Sequence, residues 1–395
     1  MRSAVGLAVG LFAAVSLACS NASNPLADSK MERDVTVPPG AIPYITGVHV
    51  AALPAFDNEG VEPVAFNDLG EIVGDSVNNT TFGSTIFRWV ADRGFTFLHL
   101  PVDSFTIAYA FSVNDRAQVA VQLTDLGGTG HAPHIEAGIW DWQGDVRVLR
   151  PLGAGYSCDP YSINDSGVVV GDCYVPISGE PQGSPFFATV WTAFGNPDGL
   201  YAGGGGQPFQ GTATSISDAG YIAGTSSLNF TGFVFTPTKQ LISLIPARAS
   251  TPNRSNTGVN DSGWVAGSVF DSISLTWVPA VWTRGDSLHY LYRNQPGTMS
   301  DISDDGIAVG GIPDTTSGLN VPVIWTAANG LQRLPGLEGS ALLAKESGIA
   351  AQINKVHQIL GTLIMSTGQR RTVIWTLPDS PMLQARLMAS MPRRQ

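Results

Sequence analysis

Charge is scarce in this sequence. Only 13% of the 395 residues are charged, and 21 Lys and Arg stand against 32 Asp and Glu. There is no basic stripe, which excludes the electrostatic footprint of a nucleic-acid binder. A net charge of −11 is repelled by anionic lipid, so any membrane tie has to come from a lipid anchor. Histidine is scarce too, six in all, and only His131 and His134 stand close together. No Gly-x-Ser-x-Gly elbow, His-Glu-x-x-His or Cys-x-x-Cys-His occurs, so the usual hydrolase, zinc-protease and haem-attachment motifs are excluded. Enzymes that draw carboxylates or His from several loops leave no such trace, and fold alone does not decide function. Gly127-Gly128-Thr129-Gly130 and the run Gly203 to Gly206 precede neither Lys-Ser/Thr nor a helix; neither is a phosphate loop. With 45 Gly and 26 Pro, little room remains for long helices.

What the chain has instead is a repeat. Ile163-Asn164-Asp165-Ser166-Gly167-Val168-Val169-Val170-Gly171 is the clearest of seven copies, anchored at Asn67, Asn114, Asn164, Ser217, Asn260, Ser303 and Asn354. The steps are 47, 50, 53, 43, 43 and 51 residues, close to the ~40–50 of blade-type repeats. Asp follows the anchor at Asp68, Asp115, Asp165, Asp218, Asp261 and Asp304. A first Gly stands three after the anchor (Gly70, Gly167, Gly220, Gly263, Gly306) and a second seven after it (Gly74, Gly171, Gly224, Gly267, Gly310, Gly361). The second copy lacks both glycines, having Ala117 and Val121, and the seventh carries Lys355-Val356-His357 and reads as degenerate. Asn or Ser followed by Asp opens a turn, since short polar side chains bond nearby backbone. The first Gly tolerates a positive φ. The second, within an apolar run, suggests close approach of a neighbouring backbone. Each copy therefore reads as strand, turn, strand.

A third strand ends at Trp89, Trp140, Trp191, Phe235, Trp282, Trp325 and Trp375, and a Leu-bearing fourth follows in most copies, as in Phe97-Leu98, Val148-Leu149 and Gln332-Arg333-Leu334. Four antiparallel strands repeated radially make an all-β, seven-bladed β-propeller. The last copy runs into Pro378 without a fourth strand, and Tyr44 to Leu53 is a strand with no blade of its own. The N-terminal strand is expected to close the last blade and remove an exposed edge. The spacing, the Asn-Asp-x-Gly-x-Val-x-Gly turn and the later Trp resemble the bacterial extracellular HAF repeats. The His-Ala-Phe run that names that family is absent before the Trp, and His131-Ala132 lies out of register with Trp140. The resemblance implies an extracellular repeat protein and brings no catalytic residues.

Residues 1–19 read as a secretory signal: Met1-Arg2-Ser3, then Ala4 to Ala18, apolar apart from Ser16. Ser16-Leu17-Ala18-Cys19 fits a lipoprotein box with Cys19 lipidated, and Ser20-Asn21-Ala22 fits ordinary cleavage; both remain open. Residues 20–40 are a polar linker, 41–378 the propeller and 379–395 a tail. Cys158 and Cys173 flank the third turn. With Asn164 opposite Gly167 they face each other and form a disulfide in an oxidising compartment, whereas a bulge at Gly167 would put them on opposite faces.

Candidate sites are few. One Asp per turn is too little for calcium. His131-Ala132-Pro133-His134, with Asp125 and Glu136 near, has metal-like spacing but no third fixed ligand. No cofactor is expected. The aromatics ending the third strands pack between blades, with their indole N–H bonded locally; Trp142, Tyr156, Tyr174, Tyr201, Phe209, Tyr290 and Tyr292 are the better candidates for a surface. The reading is an exported, monomeric surface or periplasmic scaffold that binds a glycan, peptide or protein. The alternatives are an exported propeller enzyme acting on polysaccharide or ester, and a structural adhesion protein. Three or more titratable groups at one channel mouth favour the enzyme; a bare mouth favours the scaffold.

Overall fold

The computed structural model describes residues 42–379, apart from 58–59, 79–82, 99–106, 126–133, 177–184, 202–207, 229–230, 244–248, 251–257, 272, 284–286, 294, 315–316 and 338–345. Cys19, the signal, the linker, both glycine runs and His131 lie outside the described residues.

Seven antiparallel sheets form the seven blades of a β-propeller. Blade three is representative, running Ser157–Ile163, Val169–Tyr174, Phe187–Trp191 and Pro197–Gly199 from the channel outward. Its outer strand is one the sequence pattern did not single out. In blade seven the outer strand is His49–Ala52, paired antiparallel with Arg370–Thr376. The ring is therefore closed by the N-terminal strand. That strand is shorter than the stretch Tyr44 to Leu53, because Tyr44 makes an isolated bridge with Arg333 and Ile45 N–H donates to the Arg333 carbonyl at 3.0 Å. The segment thus runs first along the outer edge of blade six and then completes blade seven, covering two strand edges in turn.

The first Gly of each copy does have a positive φ, from 76° to 88° at Gly70, Gly167, Gly220, Gly263 and Gly306. Ala117 and His357 take the same turn with φ of 56° and 58°, a conformation that L residues adopt at a cost. In five of the six copies that have it, the second Gly stands opposite a bulge. In blades one, two, three, four, six and seven the innermost strand carries one extra residue, three before the anchor (Tyr161 in blade three), and the ladder shifts there. The bulge pushes the strand against its neighbour. A Cβ on Gly171 would lie 1.9 Å from the Asp159 carbonyl oxygen, and one on Gly310 2.1 Å from that of Thr298.

This bulge also sets the cysteine pairing. At the turn, Ile163 faces Val169, so the turn does shift the register by one; the bulge between Pro160 and Ser162 shifts it back. Cys158 then faces Cys173 and the two are disulfide-bonded. Two compensating shifts, not a plain hairpin, bring them together.

Trp191 and Trp375 are fully buried, and each indole N–H donates at 2.7 Å to a carbonyl of the preceding blade, Arg150 and Pro335 respectively. These bonds are not local; they tie blades together. Leu98, Leu149, Leu200, Leu291 and Leu334 end the outer strands of five blades and are all buried. Each donates its N–H back to the third strand, as Leu149 does to Ala137 at 2.8 Å. Burying one such side chain stabilises by roughly 2 kcal/mol, so these Trp and Leu side chains help seal the junctions they reach.

Candidate functional site: the acidic mouth of the channel

Six of the seven turns, with Val259 just before the fifth anchor, line one mouth of the central channel. Asn suits the anchor because its side chain has an acceptor and a donor on opposite corners. The oxygen closes the residue's own turn: Asn114 Oδ1 accepts from Arg116 N–H at 3.0 Å and Gln118 N–H at 2.9 Å. The amide nitrogen reaches the next blade: Asn67 donates to the Asn114 carbonyl, Asn114 to Asn164, Asn164 to Ser217, Asn260 to Ser303 and Asn354 to Asn67, at 2.9–3.2 Å. Ser217 and Ser303 keep the turn-closing role, accepting from Tyr221 and Ile307 N–H, but a hydroxyl is too short to span the junction.

The Asp after the anchor makes a second ring. Asp68 N–H donates to Asp115, Asp115 to Asp165, Asp165 to Asp218 and Asp261 to Asp304, each to a carboxylate Oδ1 at 2.7–3.0 Å. At blade four the donor slips by one to Ala219, which bonds Asp261 at 2.7 Å. Lys355 N–H donates to Asp68 at 2.8 Å. Lys355 itself brings no carboxylate, so the chain of Asp links stops between blades six and seven. The Asn links stop there too, at Ser303. Two other contacts hold that junction. Asp301 Oδ2 accepts from Ile353 N–H at 3.0 Å, and His357 Nε2 stands 2.8 Å from Asp305 Oδ2.

The mouth thus holds six carboxylates and one ammonium. Lys355, from the copy that looked degenerate, reaches across the ring to Asp218 Oδ2 and lies 3.5 Å from Asp165 Oδ2. Its side chain is 44% exposed, and a pair so open to water contributes about 0.2–1 kcal/mol. Burial pushes Asp68 up to about 6, against the Lys355 N–H that favours its ionised form. Burial, with repulsion from Asp218 and Asp115, also raises Asp165. Burial works the same way on Asp218, but the Lys355 ammonium and the Asp165 N–H outweigh it and hold that carboxyl below its usual value. Lys355 is raised despite its burial, by Asp218 and Asp165.

Below the mouth lies a cavity of about 200 Å³ reached by all seven blades. Its walls differ. Phe111 and Tyr161, the bulge residues of blades two and three, meet edge to face with centroids 5.4 Å apart. Across the ring, blade six contributes its bulge residue Ser300 and then Asp301. Asp301 is pushed up to about 7 by burial, although the N–H groups of Ile353 and Ile302 favour its ionised form. Ser300 is 3% exposed and its hydroxyl has no hydrogen-bond partner.

The other expected sites lie apart from this mouth. His134, in the blade-two strand His134–Trp140, stands 3.8 Å from Asp125 and 3.3 Å from Glu136, and no group of three or more His, Cys, Asp or Glu suited to a metal occurs among the described residues. The surface aromatics divide: Trp142 and Tyr201 are exposed, whereas Tyr292 is buried and Tyr156, Phe209 and Tyr290 pack against core clusters. Tyr174 tilts against Phe186. The mouth itself escaped the sequence reading, since each Asp looked like a turn residue. The one available signal was Lys355, a cation at a position occupied six times by Asp.

No family model matches the sequence, and no curated protein matches it. Solved structures do resemble it in fold. A catalytically inactive virginiamycin B lyase from Staphylococcus aureus, with quinupristin, superposes with a TM-score of 0.47 and 12% identity over 84% of this chain and 99% of that one. A puromycin hydrolase gives 0.49 and 13%, covering 85% of this chain and 56% of that one. YCF48 bound to D1 peptide gives 0.46 and 11%, over 85% and 96%. At these identities the likeness concerns the propeller alone.

Proposed function

We propose that this protein is an exported binding scaffold whose ligand enters the channel at the acidic mouth. The observation that carries the reading is the cavity of about 200 Å³ to which all seven blades contribute residues. Titratable groups do gather there, the arrangement that would favour an enzyme. Each of the six carboxylates, however, already accepts a backbone N–H of a neighbouring blade. Both oxygens of Asp165 and Asp218 are occupied, the second by Lys355. Groups so committed can hold a ligand in place more readily than they can exchange protons with it. Kinship with HAF-type repeats, export through residues 1–19 and a lipid on Cys19 belong to this proposal and rest on the sequence pattern alone.

The test is a thermal-shift screen of the chain from Asn24 onward against calcium, zinc, EDTA and bacterial and plant glycans, repeated with Ser300→Trp, which fills the cavity. A ligand at ~100 times its Kd stabilises by ~2.7 kcal/mol. A shift lost in Ser300→Trp supports the channel; a shift that persists there places binding elsewhere and refutes this reading.

A further inference from the structure

We infer that the channel mouth recognises an organic ammonium ion carrying a flat apolar group, and that Lys355 is the tethered stand-in that occupies the site until such a ligand displaces it. This rests on the binding role proposed above and names its ligand chemistry.

Charge comes first. Asp68, Asp115, Asp165, Asp218 and Asp304 line the mouth, Asp261 is bonded to Asp304 beside them, and Lys355 offsets one of these charges. An opening so lined concentrates cations and repels anions. Lys355 then shows what chemistry fits. Its primary ammonium sits between Asp165 and Asp218 on two oxygens that the inter-blade ring leaves over. The contact is open to water and weak, so a free cation can compete for it.

The cavity supplies the rest. Its volume of about 200 Å³ corresponds to roughly seven waters at ~30 Å³ each, below the ~300–1,000 Å³ of ordinary ligand pockets. One amine-bearing ring or one basic side chain fits this volume. Phe111 and Tyr161 offer an aromatic wall for a ring or for a cation over a π-face. From the opposite side Ser300 lines the cavity; the residue is 3% exposed and its buried hydroxyl has no hydrogen-bond partner. A buried hydroxyl left unpaired costs stability, and an N–H donor from a ligand would satisfy it. This partnerless group is independent of the acidic ring and offers a ligand donor a second point of contact.

The experiment is calorimetric titration of the chain from Asn24 onward at pH 7.5 with benzylamine, benzyl alcohol and calcium chloride as probes. Four proteins are compared: the natural sequence, Lys355→Met, Ser300→Ala, and Lys355→Met with Asp218→Asn. Benzylamine is expected to bind weakly to the natural sequence and about tenfold more tightly to Lys355→Met, because the tethered competitor is gone. Adding Asp218→Asn should remove that gain. Ser300→Ala should weaken binding without lowering the melting temperature, since the hydroxyl bonds nothing in the fold; a structural role for Ser300 would lower it. If Lys355→Met fails to fold, Lys355→Gln serves instead. Equal binding of benzyl alcohol, abolished by Ser300→Trp, would overturn the ammonium while keeping the channel. Calcium binding that excludes benzylamine would overturn it in favour of a metal. Binding of benzylamine indifferent to Lys355 and Asp218 would also overturn it. Binding of no probe to any variant, together with glycan binding that survives Ser300→Trp, would overturn both this inference and the channel reading.

Discussion

If the Asn anchors staple blade to blade, replacing one by Ser should loosen the ring without opening its turn. Asn114→Ser is the cleanest case, because the protein already contains that side chain at Ser217 and Ser303. The turn-closing acceptor survives in the Ser form, as Ser217 Oγ shows by accepting from Tyr221 N–H at 3.2 Å. What is lost is the buried 2.9 Å bond from Asn114 Nδ2 to the Asn164 carbonyl, together with the 3.0 Å bond to Gln118 Oε1. Two bonds at about 0.5–1.5 kcal/mol each, with a buried carbonyl left short of a partner, give a loss of about 2–3 kcal/mol. Asn114→Ala forfeits the turn acceptor as well and should lose about 3–4 kcal/mol. The reverse changes, Ser217→Asn and Ser303→Asn, should each stabilise by about 1 kcal/mol if the amide reaches the next carbonyl. The assay is urea unfolding followed by tryptophan fluorescence, with the midpoint and slope fitted together. An Asn114→Ser variant within 0.5 kcal/mol of the natural sequence, in a transition of unchanged slope, would refute the staple and return the Asn to the role of a plain turn residue.

Three further outcomes are expected. Reducing the Cys158–Cys173 disulfide, which closes 15 residues, should destabilise by ~3 kcal/mol; unfolding with and without dithiothreitol, with Cys158→Ser as control, measures it. Gly171→Ala should cost more than ~3 kcal/mol, because its Cβ would stand 1.9 Å from the Asp159 carbonyl oxygen; a variant melting with the natural protein would show that the bulge gives way easily. Stability should fall as pH rises through neutrality. Asp75 and Asp301 are each raised to about 7, chiefly by burial, so their neutral forms fold best. Their contribution is complete below the ordinary value of 3.8 and is lost as pH rises through about 7. Asp75→Asn, which keeps the acceptor for Ala110 N–H, should flatten the slope between pH 5 and 8 by about 1–2 kcal/mol; an unchanged slope would refute the assignment.

The fold was legible because its determinants are local and repeated. A turn needing positive φ demands Gly or a strained substitute wherever it recurs, and seven regular aromatics mark seven third strands. Even the closing strand could be read, as a strand without a blade beside a blade without an outer strand. The site could not be read, for a physical reason. The Asn amide and the Asp carboxylate each act across a blade junction, on partners 42–53 residues away within the ring and 287 residues away where blade seven meets blade one. In the linear sequence they are turn residues and nothing more. The cysteines show the same limit: the spacing suggested the pair, but two register shifts decided that it forms.

By itself, then, the sequence determined seven units, their internal hairpins and their closure, because backbone stereochemistry and hydrophobic pattern act within a few residues. Only the tertiary structure decided that six turn aspartates share one mouth, that Lys355 lies among them, and that Ser300, Phe111 and Tyr161 face one cavity. Their distances depend on the curvature of the ring, which is set by packing between blades and is written in no single repeat.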